Sequence, residues 1–248
     1  MSFKGYIKEN LPWIRSIYRK RLAPINLIHN IFDKPVVVLL YHRVNHLNRD
    51  LFNINVTPDN FERHIRILKN HYNVITFNDL KRNDIKEPSV IITFDDGYYD
   101  NYKYAFPILK KYQVPATIFI TSGGVDTGKE FWWDRLETVL FENKNLRESI
   151  ELDILNQRHI FDVSDDKKRL HSFYTLHHML FSLHPNERDM MLDRWYESYG
   201  LKVNPNNRTM TSSELIELYQ SQLITLGAHT IHHPALKQIS REEQIHEI

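Results

Sequence analysis

The chain of 248 residues has no cysteine, which excludes disulfide bonds and cysteine-ligated metal sites. Its charged residues almost balance, with a formal net charge of +1, so composition gives no reason to expect a nucleic-acid partner. No apolar run reaches the roughly 18 residues of a membrane span, and the first residues lack the apolar core of a secretory signal. We therefore expect a cytoplasmic protein, and its 42% of hydrophobic residues can bury one substantial core.

Two adjacent carboxylates follow a strongly hydrophobic segment. Residues 89–94, Ser-Val-Ile-Ile-Thr-Phe, lie between Pro88 and Gly97 and are rich in β-branched side chains, which predicts a short buried strand. Asp95 and Asp96 follow at its C-terminal end, where α/β folds place their chemistry. Two ionised carboxylates side by side are costly in a dry site unless a cation offsets their repulsion. The alternative is an Asp-Gly turn without a chemical role.

Two histidines four residues apart form the second candidate half of a site. His229 and His233 follow the apolar residues 223–227, whose pattern again predicts a strand end. A tight loop or helical turn can aim both imidazoles at one point, and one carboxylate would complete a two-histidine, one-carboxylate metal site. Because the chain has 14 histidines, an incidental pair is the alternative. Two half-sites at strand ends favour the metal interpretation.

Taken together, the two motifs resemble those of a known family. Thr-Phe-Asp-Asp-Gly at 93–97, followed by His-Thr-Ile-His-His-Pro-Ala-Leu at 229–236, is similar to the first two signature motifs of the NodB-homology polysaccharide deacetylases, carbohydrate esterase family 4. The similarity spans roughly residues 36–236. It implies an α/β fold, a distorted (β/α)7-type barrel, and a bound divalent metal that is commonly Zn²⁺.

The resemblance also assigns roles to residues. It implies that Asp96, His229 and His233 ligate the metal and that Asp95 is the catalytic base. A bound Zn²⁺ lowers the pKa of its water to about 7 and polarises a carbonyl group. In the field of the cation Asp95 should stay ionised and can accept the proton of the water. Thr230 matches the Ser/Thr position of the second motif and is expected to support the loop through hydrogen bonds.

A third strand end carries a candidate general acid. Residues 35–41 predict an apolar strand that ends in Tyr41, and His42 follows it. Some exopolysaccharide deacetylases of the family are circularly permuted, so that the strand with the acid histidine comes first, in a Tyr-His segment. The chain resembles this permuted arrangement, which implies that His42 is the general acid. The alternative is a strand-end histidine that bonds to a carbonyl group.

These features favour a metal-dependent hydrolase that removes N- or O-linked acetyl groups from a carbohydrate polymer or a glycan precursor. A deformylase acting on a lipid-linked amino sugar would use the same residues. A non-catalytic glycan-binding module is a third alternative, against which the complete Asp-Asp and His-x-x-x-His sets argue. The expected partner is an acetylated glycan or a lipid-linked sugar, with no nucleic acid.

We divide the chain into two parts. Residues 1–34 alternate aromatic with basic side chains and predict a helical segment, whereas residues 35–248 form the deacetylase-like domain. We expect the N-terminal helix to pack across the barrel, and the alternative is an amphipathic helix lying on an anionic membrane surface. Peripheral contact through residues 1–30 would place the protein at the inner face of the membrane.

Helix and strand patterns alternate in the domain, which predicts a parallel sheet or barrel rather than a sandwich. A helix begins after Thr57, with Phe61, Ile65 and Leu68 on one face. The pattern Ser-Arg-Glu-Glu at 240–243 is typical of a helix start, yet only five residues follow it. We therefore expect the barrel to be incomplete at the C-terminus.

Residues 126–210 are expected to be a helical insertion without strands, packed over one end of the barrel. Within it, Trp132 and Trp133 either stack on sugar rings or belong to the core. Residues 123–129 fit the Gly-x-x-x-x-Gly-Lys spacing of a phosphate-binding loop, but Glu130 stands where Ser or Thr should hold Mg²⁺. We interpret this loop as the start of the insertion rather than as a nucleotide site.

Overall fold

The computed structural model describes residues 35–81, 85, 87–154 and 157–248. The N-terminal segment 1–34 lies outside the described residues, and so do the helix and the membrane contact predicted for it. Within the described part of the chain, no helix combines the length and the apolar character needed to span a bilayer.

Strands and helices alternate along the described residues. The strands are β1 (Val36–Tyr41), β2 (Arg43–Val44), β3 (Asn55–Val56), β4 (Asn73–Val74), β5 (Ser89–Phe94), β6 (Ala116–Ile120), β7 (Ser149–Ile154), β8 (Gln157–Asp162) and β9 (Ile224–Ala228). The α-helices are α1 (Pro58–His71), α2 (Phe77–Leu80), α3 (Phe106–Tyr112), α4 (Trp132–Glu137), α5 (Asp166–Phe181), α6 (Pro185–Tyr199), α7 (Ser212–Gln220) and α8 (Arg241–Glu247). Short π-helical turns cover Asn101–Ala105 and Thr138–Glu142, and 3-10 turns cover Ser122–Gly124 and Leu236–Gln238.

A five-stranded parallel sheet organises the fold, in the order β1-β5-β6-β9 with β4 also paired to β5. All six residues of β5 are buried, as its continuous apolar pattern predicts for a central strand. The α/β class with a mostly parallel sheet is thereby confirmed. Because these strands run in one direction, the residues after β1, β5, β6 and β9 all lie along one edge of the sheet.

Local signals in the sequence explain where α1 lies. The Thr57 hydroxyl accepts a hydrogen bond from the Asn60 backbone N–H, and a proline occupies the first helical position. Phe61, Ile65 and Leu68 recur every three to four residues, and all three are buried against the sheet. The helix predicted after Thr57 is confirmed.

Two apolar cores lie side by side. The sheet core is built from the strands of the parallel sheet together with α1 and α3. The second core, which we call the aromatic core, is built mainly from residues 131–201 and contains the buried rings of Phe131, Trp132, Trp133 and Trp195. Trp133 of the aromatic core contacts His233, which follows β9, so this core lies against the C-terminal end of the sheet.

The segment 126–210 is not wholly helical, so the expectation of an insertion without strands is wrong. β7 and β8 form an antiparallel hairpin within it, with Ser149 opposite Asp162 and Ile154 opposite Gln157. Ile150, Leu152 and Ile154 are buried while the residues between them are exposed. This alternation has the two-residue period of a strand. Burial of the apolar face of β7 in the aromatic core stabilises the hairpin.

Candidate metal centre

The aspartate pair lies in a tight turn directly after β5. The backbone N–H of Asp95 donates to the Tyr41 carbonyl at the end of β1, and the Asp96 carbonyl accepts from the Thr121 N–H after β6. Asp96 and Gly97 both have left-handed backbone angles, with φ of 74° and 84°. A side chain at position 97 would meet Ile120, so glycine fits the turn for both reasons. The turn directs the buried Asp96 toward the histidine segment.

The histidine loop, residues 229–233, follows β9 on the same edge. The His229 backbone N–H donates to the Ile120 carbonyl, and the Thr121 hydroxyl donates to the His229 carbonyl. Thr230 and His233 have left-handed φ values of 64° and 52°, which are unfavourable for a β-branched residue such as threonine. The His233 N–H donates to the Thr230 hydroxyl, which stabilises the bend. Thr230 thus supports the loop through a hydrogen bond, as expected.

A buried carboxylate from the C-terminal helix also holds this loop. Glu247 in α8 accepts hydrogen bonds at Oε2 from the backbone N–H groups of Ile231 and His232, at 3.0 and 2.8 Å. Its other oxygen lies 2.7 Å from His232 Nδ1. His232 therefore faces Glu247 and lies outside the cluster formed by Asp96, His229 and His233. Sequence reasoning missed Glu247, because no local pattern links it to a loop fifteen residues earlier.

Asp96, His229 and His233 converge on one point. Asp96 Oδ1 lies 3.5 Å from the Nε2 atom of each histidine, and the three candidate ligand atoms lie within 4.8 Å of one another. Ligands bound tetrahedrally at about 2.0–2.2 Å from Zn²⁺ are about 3.4 Å apart. The same Asp96 oxygen is buried and has no hydrogen-bond partner among the described residues. An orphaned carboxylate oxygen between two imidazole nitrogens fits a divalent cation.

The pKa shifts of Asp96 and His233 support the fit of a divalent cation. Burial, together with the charges of Asp95 and Asp134, raises the pKa of Asp96 to about 7. Burial and the neighbouring His229 lower the pKa of His233 to about 4, so this imidazole is neutral and able to ligate at neutral pH. A cation at this point would favour the ionised carboxylate and relieve its repulsion with Asp95.

The remaining two predicted site residues lie next to the cluster. Asp95 is half-buried and directly precedes Asp96. His42 follows β1, and its carbonyl accepts a hydrogen bond of 2.9 Å from the Asn101 side chain. Burial lowers the pKa of His42, while the charge of Asp95 opposes this change and that of His229 adds to it. The structure therefore brings all five predicted site residues to one edge of the sheet.

Sequence reasoning missed a buried ionic network behind this site. Arg43 donates to Asp100 at 2.8 Å and to Asp134 at 3.4 Å, and its guanidinium stacks 4.2 Å from the centre of the Tyr98 ring. The Tyr98 hydroxyl in turn donates to Asp134 and accepts from the indole N–H of Trp133. Arg43 is 3% exposed, so the network belongs to the interior. The one local signal was the position of Arg43 directly after His42.

The tryptophan pair belongs to the aromatic core. Trp132 and Trp133 are 4% and 8% exposed, which favours the core alternative over sugar stacking. The Trp133 ring also contacts His233 edge to face, with ring centres 5.1 Å apart. Beyond Arg43, a polar cavity of about 440 Å³ is lined by Asn45, Glu137 and others, but by none of the five predicted site residues.

Part of the chain is similar to a known family. The family model described as polysaccharide deacetylase matches residues 82–146, which include the Asp-Asp motif. YxkH of Bacillus subtilis (strain 168), a candidate polysaccharide deacetylase by name, is 42% identical over 96 residues, covering 36% of this chain and 33% of its own length. The poly-beta-1,6-N-acetyl-D-glucosamine N-deacetylase of Staphylococcus aureus (strain MSSA476) is 36% identical over 110 residues, covering 38% of each chain.

Among solved structures, the Streptococcus pyogenes deacetylase PplD in complex with acetate superposes with a TM-score of 0.47 at 19% identity. The superposition covers 86% of this chain and 63% of that one. The match with YxkH spans about a third of the length of that relative, and the match with the Staphylococcus aureus enzyme little more. The family-model match and the two sequence relatives confirm the resemblance to polysaccharide deacetylases stated from the sequence.

Proposed function

We propose that this protein is a metal-dependent hydrolase that removes acetyl groups from a carbohydrate, a proposal supported by the match of residues 82–146 to the polysaccharide deacetylase family model. The observation that carries the proposal is the convergence of Asp96, His229 and His233 beside a second carboxylate, Asp95. Two imidazoles and one carboxylate leave further coordination positions for water and substrate.

In this proposal Asp96, His229 and His233 hold a divalent metal, and Zn²⁺ suits the donor set of two nitrogens and one oxygen. A bound Zn²⁺ lowers the pKa of a water and polarises a carbonyl oxygen. Hydrogen bonds from the aspartate turn to the residues after β1 and β6, and those within the histidine loop, position the three ligand atoms close together.

Asp95 is the proposed general base. Its backbone is tied to the end of β1 through the Tyr41 carbonyl, and its half-buried carboxylate can reach solvent. It takes a proton from the attacking water as the water oxygen bonds to the acetyl carbon. Asp96 remains a ligand throughout, so the two adjacent carboxylates have separate roles.

His42 is the proposed general acid. The hydrogen bond from Asn101 to its carbonyl fixes the backbone after β1. Burial lowers the pKa of His42 and the charge of Asp95 opposes this change, which supports a position near the proposed base. It donates a proton to the sugar nitrogen or oxygen as the bond to the acetyl carbon breaks, and acetate leaves. The circularly permuted arrangement that suggested His42 stays a prediction.

We further propose that the parallel sheet is part of a distorted (β/α)7-type barrel. The proposal is supported by the parallel pairing of all five strands and by β4 and β6, which pair with opposite ends of β5. A crystal structure in which further strands link β1 to β9 and close the sheet would agree with it. An open sheet with both edges covered by helices would contradict it.

The substrate is proposed to be an acetylated amino-sugar polymer or an O-acetylated glycan, because the Staphylococcus aureus relative is a deacetylase of poly-beta-1,6-N-acetyl-D-glucosamine. A lipid-linked sugar and membrane contact through residues 1–30 stay predictions. Flotation with anionic liposomes, with and without those residues, tests the membrane contact. Equal recovery of both proteins would contradict it.

The test of function measures acetate released from acetylated chito-oligosaccharides and acetylated xylan by the full chain. We expect release that stops when a chelator removes the metal and returns when Zn²⁺ is added. Formate release from a formylated amino sugar, without acetate release, would instead identify a deformylase. Acetate release that a chelator leaves unchanged would contradict the proposed metal dependence.

A further inference from the structure

A small cavity lies beside the histidine loop, on residues that the proposed mechanism does not use. Its volume is about 90 Å³, and Ile231 and His232 of the loop form part of its wall. Arg188 of α6 and Trp132 of α4 also line it. The exposed Lys129 forms part of the wall, so the cavity reaches the protein surface.

Two residues of the cavity wall carry buried donors without partners. Arg188 is 3% exposed and Trp132 is 4% exposed. Arg188 Nε and Trp132 Nε1 are both buried, and neither has a hydrogen-bond partner among the described residues. Buried N–H groups that lose water without gaining an acceptor are costly, and a buried guanidinium more so. An acceptor within hydrogen-bond distance of both groups would satisfy them.

The charge of Arg188 also lacks a close counter-ion. Its nearest carboxylate is that of Asp189, 4.0 Å from Nε and about half exposed. Stacking 4.7 Å from the centre of the Trp132 ring offsets part of the cost, and burial lowers the pKa of Arg188 to about 10. By contrast, the equally buried Arg135 of the same cavity pairs with Asp193 at 2.6 Å.

Two acidic residues line the cavity, Glu130 and the half-exposed Asp189, and the oxygens of Glu130 are already engaged. Glu130 accepts hydrogen bonds from the Tyr196 hydroxyl and the Asn207 side chain. Burial raises the pKa of Glu130 to about 7, so its charge is partly suppressed at neutral pH. Glu130 therefore leaves Arg188 available to another acceptor.

The glycine loop with phosphate-loop spacing forms one wall, but it does not act as a phosphate loop. The N–H of Gly123 donates to the Ile231 carbonyl, and that of Gly124 is paired with the Thr121 carbonyl. These backbone donors are therefore occupied. Recognition in this cavity depends on side chains.

We propose that this cavity binds a single oxyanion group, a carboxylate or a phosphate, with Arg188 and Trp132 as its donors. Guanidinium pairs with both anions through charge-assisted hydrogen bonds. The volume admits a group of the size of acetate or phosphate but no sugar ring. The anion is either free or an acidic substituent of a glycan, and the site does not depend on the proposed deacetylase function.

The test uses the full chain after chelator treatment, so that no metal binds the anion. Acetate and inorganic phosphate are titrated by calorimetry and tryptophan fluorescence, with acetamide as the uncharged counterpart of acetate. We expect saturable binding of an anion but not of acetamide. Arg188→Gln should weaken it at least about tenfold, as expected for loss of a charged hydrogen bond. The exposed Arg194→Gln on the same helix is the matched control.

Further variants keep the test decisive if Arg188→Gln fails to fold. Trp132→Phe keeps the ring but removes the N–H, and it should weaken binding several-fold. Asp96→Asn should bind the anion as wild type does, which separates this site from the metal centre. N-acetylglucosamine 6-phosphate, if it binds more tightly than inorganic phosphate, identifies a glycan-borne anion. Equal binding of acetate and acetamide, or binding unaffected by both Arg188→Gln and Trp132→Phe, would overturn the proposal.

Discussion

The two halves of the candidate metal centre are built differently. Asp96 follows β5, a strand that is buried along its whole length in the middle of the sheet. His229 and His233 lie on an irregular loop, and 30% and 34% of their side chains are exposed. The aspartate half is held by sheet pairing, whereas the histidine half depends on single side chains such as Glu247 and Thr230.

This difference teaches what each half is sensitive to. Moving Asp96 would disrupt paired strands on both sides of β5, so its position is firmly held. The negative charge of its buried carboxylate, in contrast, is energetically unfavourable. The histidine loop carries two left-handed residues and can relax if its supporting bonds are lost. The aspartate half should therefore respond to charge and pH, and the histidine half to loss of its supporting contacts.

Removing a ligand from either half should have the largest effect. We expect Asp96→Asn and His229→Ala each to lower Zn²⁺ affinity by more than the roughly 10–100-fold typical of residues that only support ligands. Competition with a chromophoric chelator measures this affinity. The exposed Asp153→Asn and His171→Ala are controls. Wild-type Zn²⁺ affinity in either variant would show that the substituted residue is not a metal ligand.

Within the aspartate half, the neighbouring carboxylate should behave differently. Asp95→Asn is expected to lower the rate of acetate release by roughly 10²–10⁴-fold, because the proposed base is lost. Its Zn²⁺ content should match that of wild type, since Asp95 is not a proposed ligand. Rate and metal content are measured on the same preparation. A full rate in this variant would show that the base is another group.

The two halves should have opposite pH dependences in the metal-free protein. The pKa of Asp96 is raised to about 7, so the folded state binds its proton more tightly and stability falls as pH rises from about 4 to about 7. The pKa of His233 is lowered to about 4, so its contribution to the stability of the folded state falls as pH drops below about 6.5. Asp96→Asn should gain stability over wild type with rising pH, by up to roughly 4 kcal/mol.

Urea unfolding at pH 5, 6, 7 and 8 after chelation measures this difference, with Asp153→Asn as the control. His233→Asn should show the opposite pH dependence: its unfolding free energy should rise relative to that of wild type as pH falls. Added Zn²⁺ should reverse the ranking of wild type and Asp96→Asn at pH 8, because only wild type is stabilised by binding. Parallel pH profiles for wild type and Asp96→Asn would contradict the buried charge at this position.

The support of the histidine loop should give the smallest effect. Glu247→Ala leaves the N–H groups of Ile231 and His232 without their acceptor, and we expect a loss of about 1–3 kcal/mol in unfolding free energy. Zn²⁺ affinity should fall by roughly 10–100-fold. Glu247→Gln keeps an acceptor oxygen and should lose less. Glu242→Gln, exposed on the same helix, is the control. Equal Zn²⁺ affinity in all three variants would contradict a supporting role of Glu247 in the histidine loop.

Much of the fold and of the candidate site could be predicted because the relevant signals are local. Apolar runs predicted β1, β5 and β9, and the residues after their ends include Asp95, Asp96, His42 and His229. Parallel strands bring such residues to one edge without any knowledge of side-chain contacts. The capping pattern at Thr57 likewise predicted the start of α1.

Other features could not be predicted, or were predicted wrongly. Arg43 contacts Asp134, 91 residues away in the chain, and nothing near either residue indicates the other. The hairpin of β7 and β8 was missed although Ile150 and Leu152 alternate with exposed residues, because charged residues between them masked a short strand pattern. Its place against the aromatic core depends on rings from α4 to α6.

The amino-acid sequence by itself determined the α/β class, the strand ends and the residue types that stand there, since each follows from hydrophobic periodicity and chain direction over a few residues. Tertiary structure alone decided that Asp96 Oδ1 is buried without a hydrogen-bond partner among the described residues, that Glu247 supports the histidine loop and that the buried Arg188 has only the carboxylate of the half-exposed Asp189 within 4.0 Å. These depend on packing between distant segments, where burial removes water and only the folded neighbours can replace it.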